Sequence, residues 1–291
     1  MHCTSVFLTL VLLASPAWDD KSLASMKHAE GLWKTHVRKQ TAKLSHSETE
    51  NVLVFGSADS KMLDTIAKAA ERAVVFSKKS VGYDKEPIKR ENQQMSDRPY
   101  RWDGKLIVIV CKERQEFADL FSKLKNAKPD PSESTLIHHE KADSYLLMGP
   151  TGTGVKHNPE LLAVENVGIA TLTRRHDPLP RWLIAGYGRM LAHKFDAKHF
   201  AAERSRTPAL ASQCLLKDVM VDENANLPPG GLIALQASLV ECLSQSPTFA
   251  DDWFKLLDEL AFRGGNMQAA LTELKIKEEA IHIDWKNRLW K

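Results

Sequence analysis

The sequence feature that most constrains the fold is the apolar run at residues 105–111, which reads KLIVIVC. A strand with one face in water alternates apolar and polar residues, whereas this run is apolar almost throughout. The run therefore predicts a central strand that is buried on both faces of its sheet. The composition, with 43% hydrophobic and 26% charged residues, is that of an ordinary globular protein with a sizeable core.

Weaker patterns predict the other elements of the first half of the chain. A charged, helix-compatible segment at 20–44 is interpreted as a lead-in helix, which assigns residues 18–50 to a lead-in region. The following residues, 51–157, are assigned to an N-terminal subdomain with a small mixed β-sheet and helices. Its predicted elements are a strand at 51–55, helices at 60–80 and 113–124, a loop at 86–100, and a hairpin of strands at 135–139 and 144–148.

The second half of the chain has a different character. From residue 159 onward nearly every segment has the apolar spacing of a helix, and turn residues separate the segments. Residues 158–291 therefore form a predicted helical C-terminal subdomain, and strands followed by helices indicate the α+β class. The predicted helices are 159–174, 180–195, 209–221, 231–243, 249–262, 267–274 and 278–289.

The N-terminus has the pattern of an export signal. Residues 6–14, VFLTLVLLA, are apolar but far shorter than the about 20 residues that a membrane-spanning helix needs. Small residues follow at Ser15 and Ala17. We therefore expect a signal peptide at 1–17, cleavage after Ala17, a periplasmic or secreted protein, and no transmembrane segment in the mature chain. A buried N-terminal strand or helix is the alternative.

Charge and cysteine content exclude some classes of protein. Forty Lys and Arg against 37 Asp and Glu give a net charge of +3, too small for a dedicated nucleic-acid-binding protein. Four cysteines are too few for a disulfide scaffold. Removal of Cys3 with the signal leaves Cys111, Cys214 and Cys242, and a disulfide between the last two stays open.

Three local motifs lack the spacing or geometry that a phosphate-binding, metal-binding or catalytic site needs. Residues 149–156, GPTGTGVK, place Lys156 one position too late for a phosphate-binding loop, so they predict a turn. Adjacent His138 and His139 at a strand end point to opposite faces and cannot chelate one ion together. His176 precedes a Pro-containing loop, where a solvated side chain is expected.

The stretch at 161–192, LLAVENVGIATLTRRHDPLPRWLIAGYGRMLA, resembles the gluzincin-type peptidase MA-like family of exported bacterial proteins. In that family one helix carries H-E-x-x-H, and a second helix, opened by P-x-W-L, carries the third zinc ligand in E-G-x-A. Pro180, Trp182 and Gly186 match the frame of the second helix. The resemblance covers roughly residues 50–290 and implies a zincin-like fold.

The resemblance also implies that the zinc ligands are missing. Val164 and Gly168 stand at the two histidine positions, and Ala185 stands at the position of the ligand glutamate. None of these side chains has a lone pair that can bind zinc. Glu165 falls at the position of the catalytic glutamate, but without a metal-bound water it has nothing to activate. The expected cofactor is therefore none, and no catalytic residue is intact.

The resulting hypothesis is a catalytically inactive, zincin-like protein of the bacterial envelope, a pseudopeptidase that binds a peptide or protein in the remnant cleft. Two alternatives remain open. One is a metal-dependent hydrolase with a displaced site that draws on His138, His157, His176 or His193. The other is a structural envelope protein whose cleft is filled. The sequence leaves the ligand and the oligomeric state open.

Overall fold

A five-stranded mixed sheet and the helices around it make up the described part of the protein. The computed structural model describes residues 20–37, 43–85, 101–102, 104–140, 143–150 and 158–289. The described residues do not include the predicted signal peptide at 1–17, the predicted loop at 86–100, Lys156 with most of its turn, or His157. The strands are β1 (Ser45–Glu48), β2 (Val52–Gly56), β3 (Leu106–Val110), β4 (Thr135–Glu140) and β5 (Asp143–Met148). The helices are α1 (Asp20–His36), α2 (Ser60–Ser80), α3 (Arg114–Lys125), α4 (Pro159–Arg175), α5 (Arg181–Phe195), α6 (Ala201–Ser212), α7 (Leu216–Val219), α8 (Gly231–Gln245), α9 (Trp253–Phe262), α10 (Met267–Glu273) and α11 (Glu278–Leu289).

The sheet has the strand order β1-β2-β3-β5-β4. Its three middle strands are parallel, with Val54 opposite Val108 and Val108 opposite Leu146, while β1 and β4 are antiparallel edge strands. Every residue of β3 is buried, which confirms the prediction from the KLIVIVC run. The predicted small mixed sheet with helices, and with it the α+β class, is confirmed at this level.

Helices cover both faces of the sheet. On one face Val108 joins a core cluster with Leu63 of α2 and Val167 of α4. On the other face Ile107 and Ile109 join a cluster with residues of α1 and α3, including Trp33 and Phe117. Successive side chains of a strand point to opposite faces, so the unbroken apolar run supplies both clusters at once.

Local sequence signals fix where the helices that carry the site begin. The Asp59 side chain accepts a hydrogen bond from the backbone N–H of Met62 at 2.9 Å, which caps α2. The Asn158 side chain accepts one from the N–H of Glu160 at 3.0 Å, and Pro159 follows at the first helical position of α4. Both helices therefore start at the carboxyl edge of the sheet.

The described elements from residue 158 to residue 289 are all helices, as predicted. α4 packs on α2 and on α5, α5 packs on α8, and α6 and α11 also contact α8. The same core cluster extends from the sheet face through these helices, so the two halves share one hydrophobic core. No helix in the described segments combines the length and the apolar character that spanning a bilayer requires.

Two differences from the predicted elements have physical reasons. The predicted helix at 209–221 is wrong, because α6 runs through Pro208 and ends at Ser212, and a turn separates it from α7. Pro208 lacks an N–H and so leaves one helical hydrogen bond unmade, which packing of α6 on α8 offsets. β1 has the polar sequence SHSE, which carries no strand signal, and pairing with β2 alone makes it a strand.

Candidate functional site

The helix pair α4–α5 is the part of the molecule in which the sequence placed the candidate site. The three residues of the predicted frame hold α5 in position. Pro180 is the N-cap of α5, and Trp182 is buried in the main core. A Cβ on Gly186 would lie 2.7 Å from the backbone oxygen of Gln236 in α8. The frame is therefore explained by packing of α5 against α8.

The three positions that the resemblance assigns to zinc ligands have no side-chain atoms that could bind a metal. Val164 is only 1% exposed and lies in the main core. Gly168 faces α5 so closely that a Cβ there would lie 2.6 Å from Cδ2 of Leu191. Ala185 is partly exposed on α5. None of the three offers a lone pair, and a histidine at residue 168 would clash with α5. Within the described segments no three His, Cys, Asp or Glu side chains form a group that could hold a metal ion.

Glu165 lies on the partly exposed side of α4. Its Oε1 is 3.9 Å from Nε of Arg189 in α5, and Gly188 lies beside its Cγ. Arg189 is also 4.0 Å from Glu203, so the guanidinium lies between two carboxylates. In this setting Glu165 is a charge partner of Arg189.

Three arginines that flank the α4–α5 loop have partners of their own. Arg174 is buried and donates to the backbone oxygen of Asp143 at 3.3 Å. Arg175 lies 3.3 Å from Asp258 of α9. Arg181 is exposed, 3.9 Å from an aspartate in the loop after α7. Arg174 and Arg175 thus fasten the end of α4 to neighbouring elements.

His176 is buried, so the expectation of a solvated loop histidine is wrong. Its side chain is 1% exposed, and Nε2–H donates to the backbone oxygen of Val81 at 3.0 Å. Nδ1 lies 3.1 Å from Oδ1 of Asp258. The residue therefore ties the α4–α5 loop to the end of α2 and to α9, which is a structural role.

His138 and His139 point to opposite faces of β4, as predicted. The ring of His138 lies 6.3 Å from the ring of Tyr145. The ring of His139 contacts Ser144 Oγ at 2.8 Å and Thr173 Oγ1 of α4 at 3.0 Å. The second contact places β4 beside the C-terminal half of α4.

The outer edge of β4 lies next to this helix pair. β4 pairs with β5 on one side, and no described strand pairs with its other side. The N–H of Gly149 donates to Ser134 at 2.8 Å, so alternation along an antiparallel pair directs the N–H groups of Thr135, Ile137 and His139 outward. The sequence predicted the strand but not which of its N–H groups point outward. Every residue type except proline carries a backbone N–H, so the residue types alone do not identify the outward donors.

A partly exposed stripe of α4 accompanies this edge. The stripe follows helical spacing and consists of Leu162, Glu165, Ile169 and Thr173. Thr173 is its end nearest to His139 of β4. Val164 and Gly168 lie outside the stripe, on the side that packs on the core and on α5.

An apolar cavity of about 330 Å³ lies at the other end of the stripe, which it reaches at Leu162. It is placed at the carboxyl ends of β3 and β5, between the starts of α2 and α4, where open α/β sheets usually bind ligands. Asp59 and Lys112 are its charged members. Its apolar lining includes Met62, Val110, Met148, Pro150, Pro159 and Leu162.

The three described cysteines are free and buried, so Cys214 and Cys242 do not form a disulfide in this structure. Burial and a hydrogen bond to Asp284 raise the pKa of Cys242 to about 12. Burial raises the pKa of Cys111 well above its usual value. Both groups are therefore neutral thiols at physiological pH and poor nucleophiles.

Comparison with known proteins assigns no family to the chain. No protein-family model matches it, and a search of curated proteins found no significant match. The side chains described above are therefore the basis for assigning a function. The site region consists of the closely packed helix pair α4–α5, the unpaired outer edge of β4, and an apolar cavity at the carboxyl edge of the sheet.

Proposed function

We propose that the protein is a non-catalytic, zincin-like protein of the bacterial envelope that binds an extended peptide or protein segment along the outer edge of β4. One observation carries the proposal. The outward N–H groups of β4 lie beside the partly exposed stripe of α4, whereas Val164 and Gly168 are packed and carry no ligand atoms.

The chemistry of this edge matches recognition by strand addition. An added strand exchanges main-chain hydrogen bonds with the edge, and alternate side chains enter neighbouring pockets. The stripe of α4 provides apolar contact at Leu162 and Ile169 and a carboxylate at Glu165. The cavity at the carboxyl edge accepts one apolar side chain at the end of such a peptide.

The zincin-like part of the proposal rests on the arrangement of elements. An antiparallel edge strand lies against the helix that carries Glu165, and the following helix has the frame of Pro180, Trp182 and Gly186. Export to the envelope rests on the sequence pattern at 1–17. N-terminal sequencing of protein expressed with its own leader tests the export, and cleavage after Ala17 is the expected result.

Selection of binders from a library of random ten-residue peptides tests the binding proposal. We expect selected peptides to bind the wild type and to protect the amides of Ile137 and His139 from hydrogen exchange. Thr135→Pro removes one outward donor at the first strand residue, where proline is tolerated. It should weaken binding about fivefold, the effect of one lost hydrogen bond. Thr135→Val keeps the donor and should bind like the wild type. Protection confined to other elements, or equal loss in both variants, would contradict the proposal.

A zinc titration tests the non-catalytic part. Protein stripped with a chelator should show no rise in Tm when one equivalent of zinc is added. A ligand raises the Tm only if it binds the folded state more tightly than the unfolded state, and the proposal gives the folded protein no zinc site. A stoichiometric rise that disappears in His193→Ala would show a displaced metal site instead.

A purely structural role is the second candidate, and the close contact between Gly168 and Leu191 favours it. It predicts that no library peptide binds, with or without the substitution at Thr135. The same selection therefore separates the two candidates.

A further inference from the structure

Four helices of the C-terminal half, α5, α6, α8 and α11, line a second, partly open cavity of about 270 Å³, to which α5 contributes His193. Trp285 of α11 is fully buried beneath it, and its Nε1–H donates to Ser238 Oγ at 2.9 Å. The indole is therefore fixed and has no donor left for a ligand. Ala234, Pro208 and Leu289 add apolar surface to the wall.

Charged side chains from three helices line the same cavity. They are Arg204 of α6, Glu241 of α8 and Arg288 of α11. None of them forms an ion pair within 4.0 Å of another described residue. Glu241 and Arg288 are partly buried, whereas Arg204 is exposed. The cavity thus presents two guanidinium groups and one carboxylate that form no contact ion pair with another described side chain.

His193 adds a polar atom to this cavity. Its side chain is 8% exposed, and Nε2 lies 2.7 Å from Oε1 of Glu203. Burial alone would raise the pKa of Glu203, but the hydrogen bond from His193 and the charge of Arg189 hold it below its usual value. Glu203 is therefore an ionised carboxylate, and it accepts a hydrogen bond from Nε2–H of His193. The Nδ1 atom of His193 has no hydrogen-bond partner among the described residues.

We propose that this cavity binds a small zwitterion, a molecule that carries both a carboxylate and an ammonium group, in the size class of an α-amino acid. A simple anion would pair with the two arginines and leave Glu241 unpaired beside it. A simple cation would leave both guanidinium groups unpaired. A zwitterion places its carboxylate on Arg204 and Arg288 and its ammonium on Glu241, while Nδ1 of His193 accepts an N–H. The apolar wall and the volume accommodate one apolar side chain.

This binding site is independent of the strand edge at β4, because it lies among α5, α6, α8 and α11. Thermal unfolding and isothermal calorimetry of the full chain test it with each of the twenty common α-amino acids. Acetate, inorganic phosphate and ethylammonium serve as the single-charge probes. We expect at least one apolar amino acid to raise the Tm and to give a measurable Kd, and the single-charge probes to give neither.

Matched variants assign the effect to the cavity. Arg204→Gln, Arg288→Gln and Glu241→Gln should each raise the Kd at least about tenfold, as expected for the loss of a charge-assisted hydrogen bond. Arg206→Gln is the control, since Arg206 is exposed on α6 like Arg204 but does not line the cavity.

Three results would overturn the proposal: no shift with any amino acid, equal binding of phosphate or acetate, or equal loss of binding in Arg206→Gln. Arg204 is exposed on α6, so Arg204→Gln should fold and still decides the question if Glu241→Gln does not.

Discussion

α5 has a packed side and an open side. The packed side faces α4 and α8: Gly168 leaves no space for a Cβ in front of Leu191, and a Cβ on Gly186 would meet the backbone of Gln236. The open side, around His193 near the end of the helix, lines a cavity with α6, α8 and α11. The packed side carries the residues that resemble the frame of a zinc site, whereas the open side has polar chemistry without a recognised motif.

The difference teaches that spacing alone does not identify a site. Trp182 and Gly186 match a motif, but burial in the core and contact with α8 account for both residues. Charged side chains that line an open cavity without a contact ion pair are available to a ligand, which makes them a more direct sign of binding. On that criterion Glu241 and Arg288 outrank Glu165, which is already close to Arg189.

Among these variants, Gly186→Ala should have the largest effect on the free energy of unfolding, and it tests how closely the packed side of α5 fits against α8. The added Cβ would meet the backbone of Gln236 at 2.7 Å, and backbone cannot move aside as a side-chain end can. We expect a loss of about 2–3 kcal/mol in the free energy of unfolding, after the gain in helix propensity. Urea denaturation measures it.

Gly31→Ala in α1 is the control for helix propensity. A Cβ there has no atom within 4 Å, so this variant should be stabilised by about 0.5–1 kcal/mol. Equal stability of the two variants would show that α5 and α8 are not in close contact.

Glu203→Gln probes the open side of α5. It removes the ionised partner of His193 and should cost about 1.5 kcal/mol at pH 7. Because folding lowers the pKa of Glu203, its ionised form stabilises the protein above the unfolded pKa of about 4.3. That stabilisation is lost as the pH falls through the folded-state pKa. The gap between variant and wild type should therefore close under acid, which denaturation at several pH values measures.

Exposed Glu279→Gln on α11 is the matched control and should change stability by less than about 0.5 kcal/mol at every pH. A gap for Glu203→Gln that does not depend on pH would mean that the charge of Glu203 does not matter.

Gly168→Ala should have a smaller effect than Gly186→Ala. Its Cβ would meet Cδ2 of Leu191 at 2.6 Å, and the end of a leucine side chain can shift. We expect a net loss of about 1 kcal/mol in urea denaturation. A stabilised variant would break the comparison, since it would show unfilled space between α4 and α5.

Ala185→Glu should have the smallest effect. Ala185 is partly exposed, and a glutamate there lies four residues before Arg189 on the same helix. The change in the free energy of unfolding should stay within about 0.5 kcal/mol. A large loss would indicate that Ala185 is packed as tightly as Gly168.

The start of α2 and the buried strand β3 were predictable because their signals are local. Asp59 caps α2 through its own side chain, and β3 is apolar at every position. The polar strand β1 and the helix through Pro208 were not predictable, because pairing with β2 and packing on α8 override the local preference.

Less of the candidate site could be predicted. The sequence indicated that Val164, Gly168 and Ala185 cannot bind zinc, since side-chain chemistry needs no coordinates. It did not predict the pair of His193 and Glu203, which lie on successive helices and meet only when α5 and α6 pack together. It also assigned Arg175 and His176 to a loop, whereas both are buried against Asp258 of α9.

The sequence by itself therefore determined the class of the fold, the central strand, the helical second half and the lack of zinc-binding atoms at Val164, Gly168 and Ala185. These properties depend on the chemistry of single side chains and on short apolar periods. The tertiary structure alone decided that Gly168 faces Leu191, that β4 lies at an edge, and that Arg204, Glu241 and Arg288 surround one cavity. Such contacts join residues far apart in the chain, and only the packing of whole helices and strands brings them together.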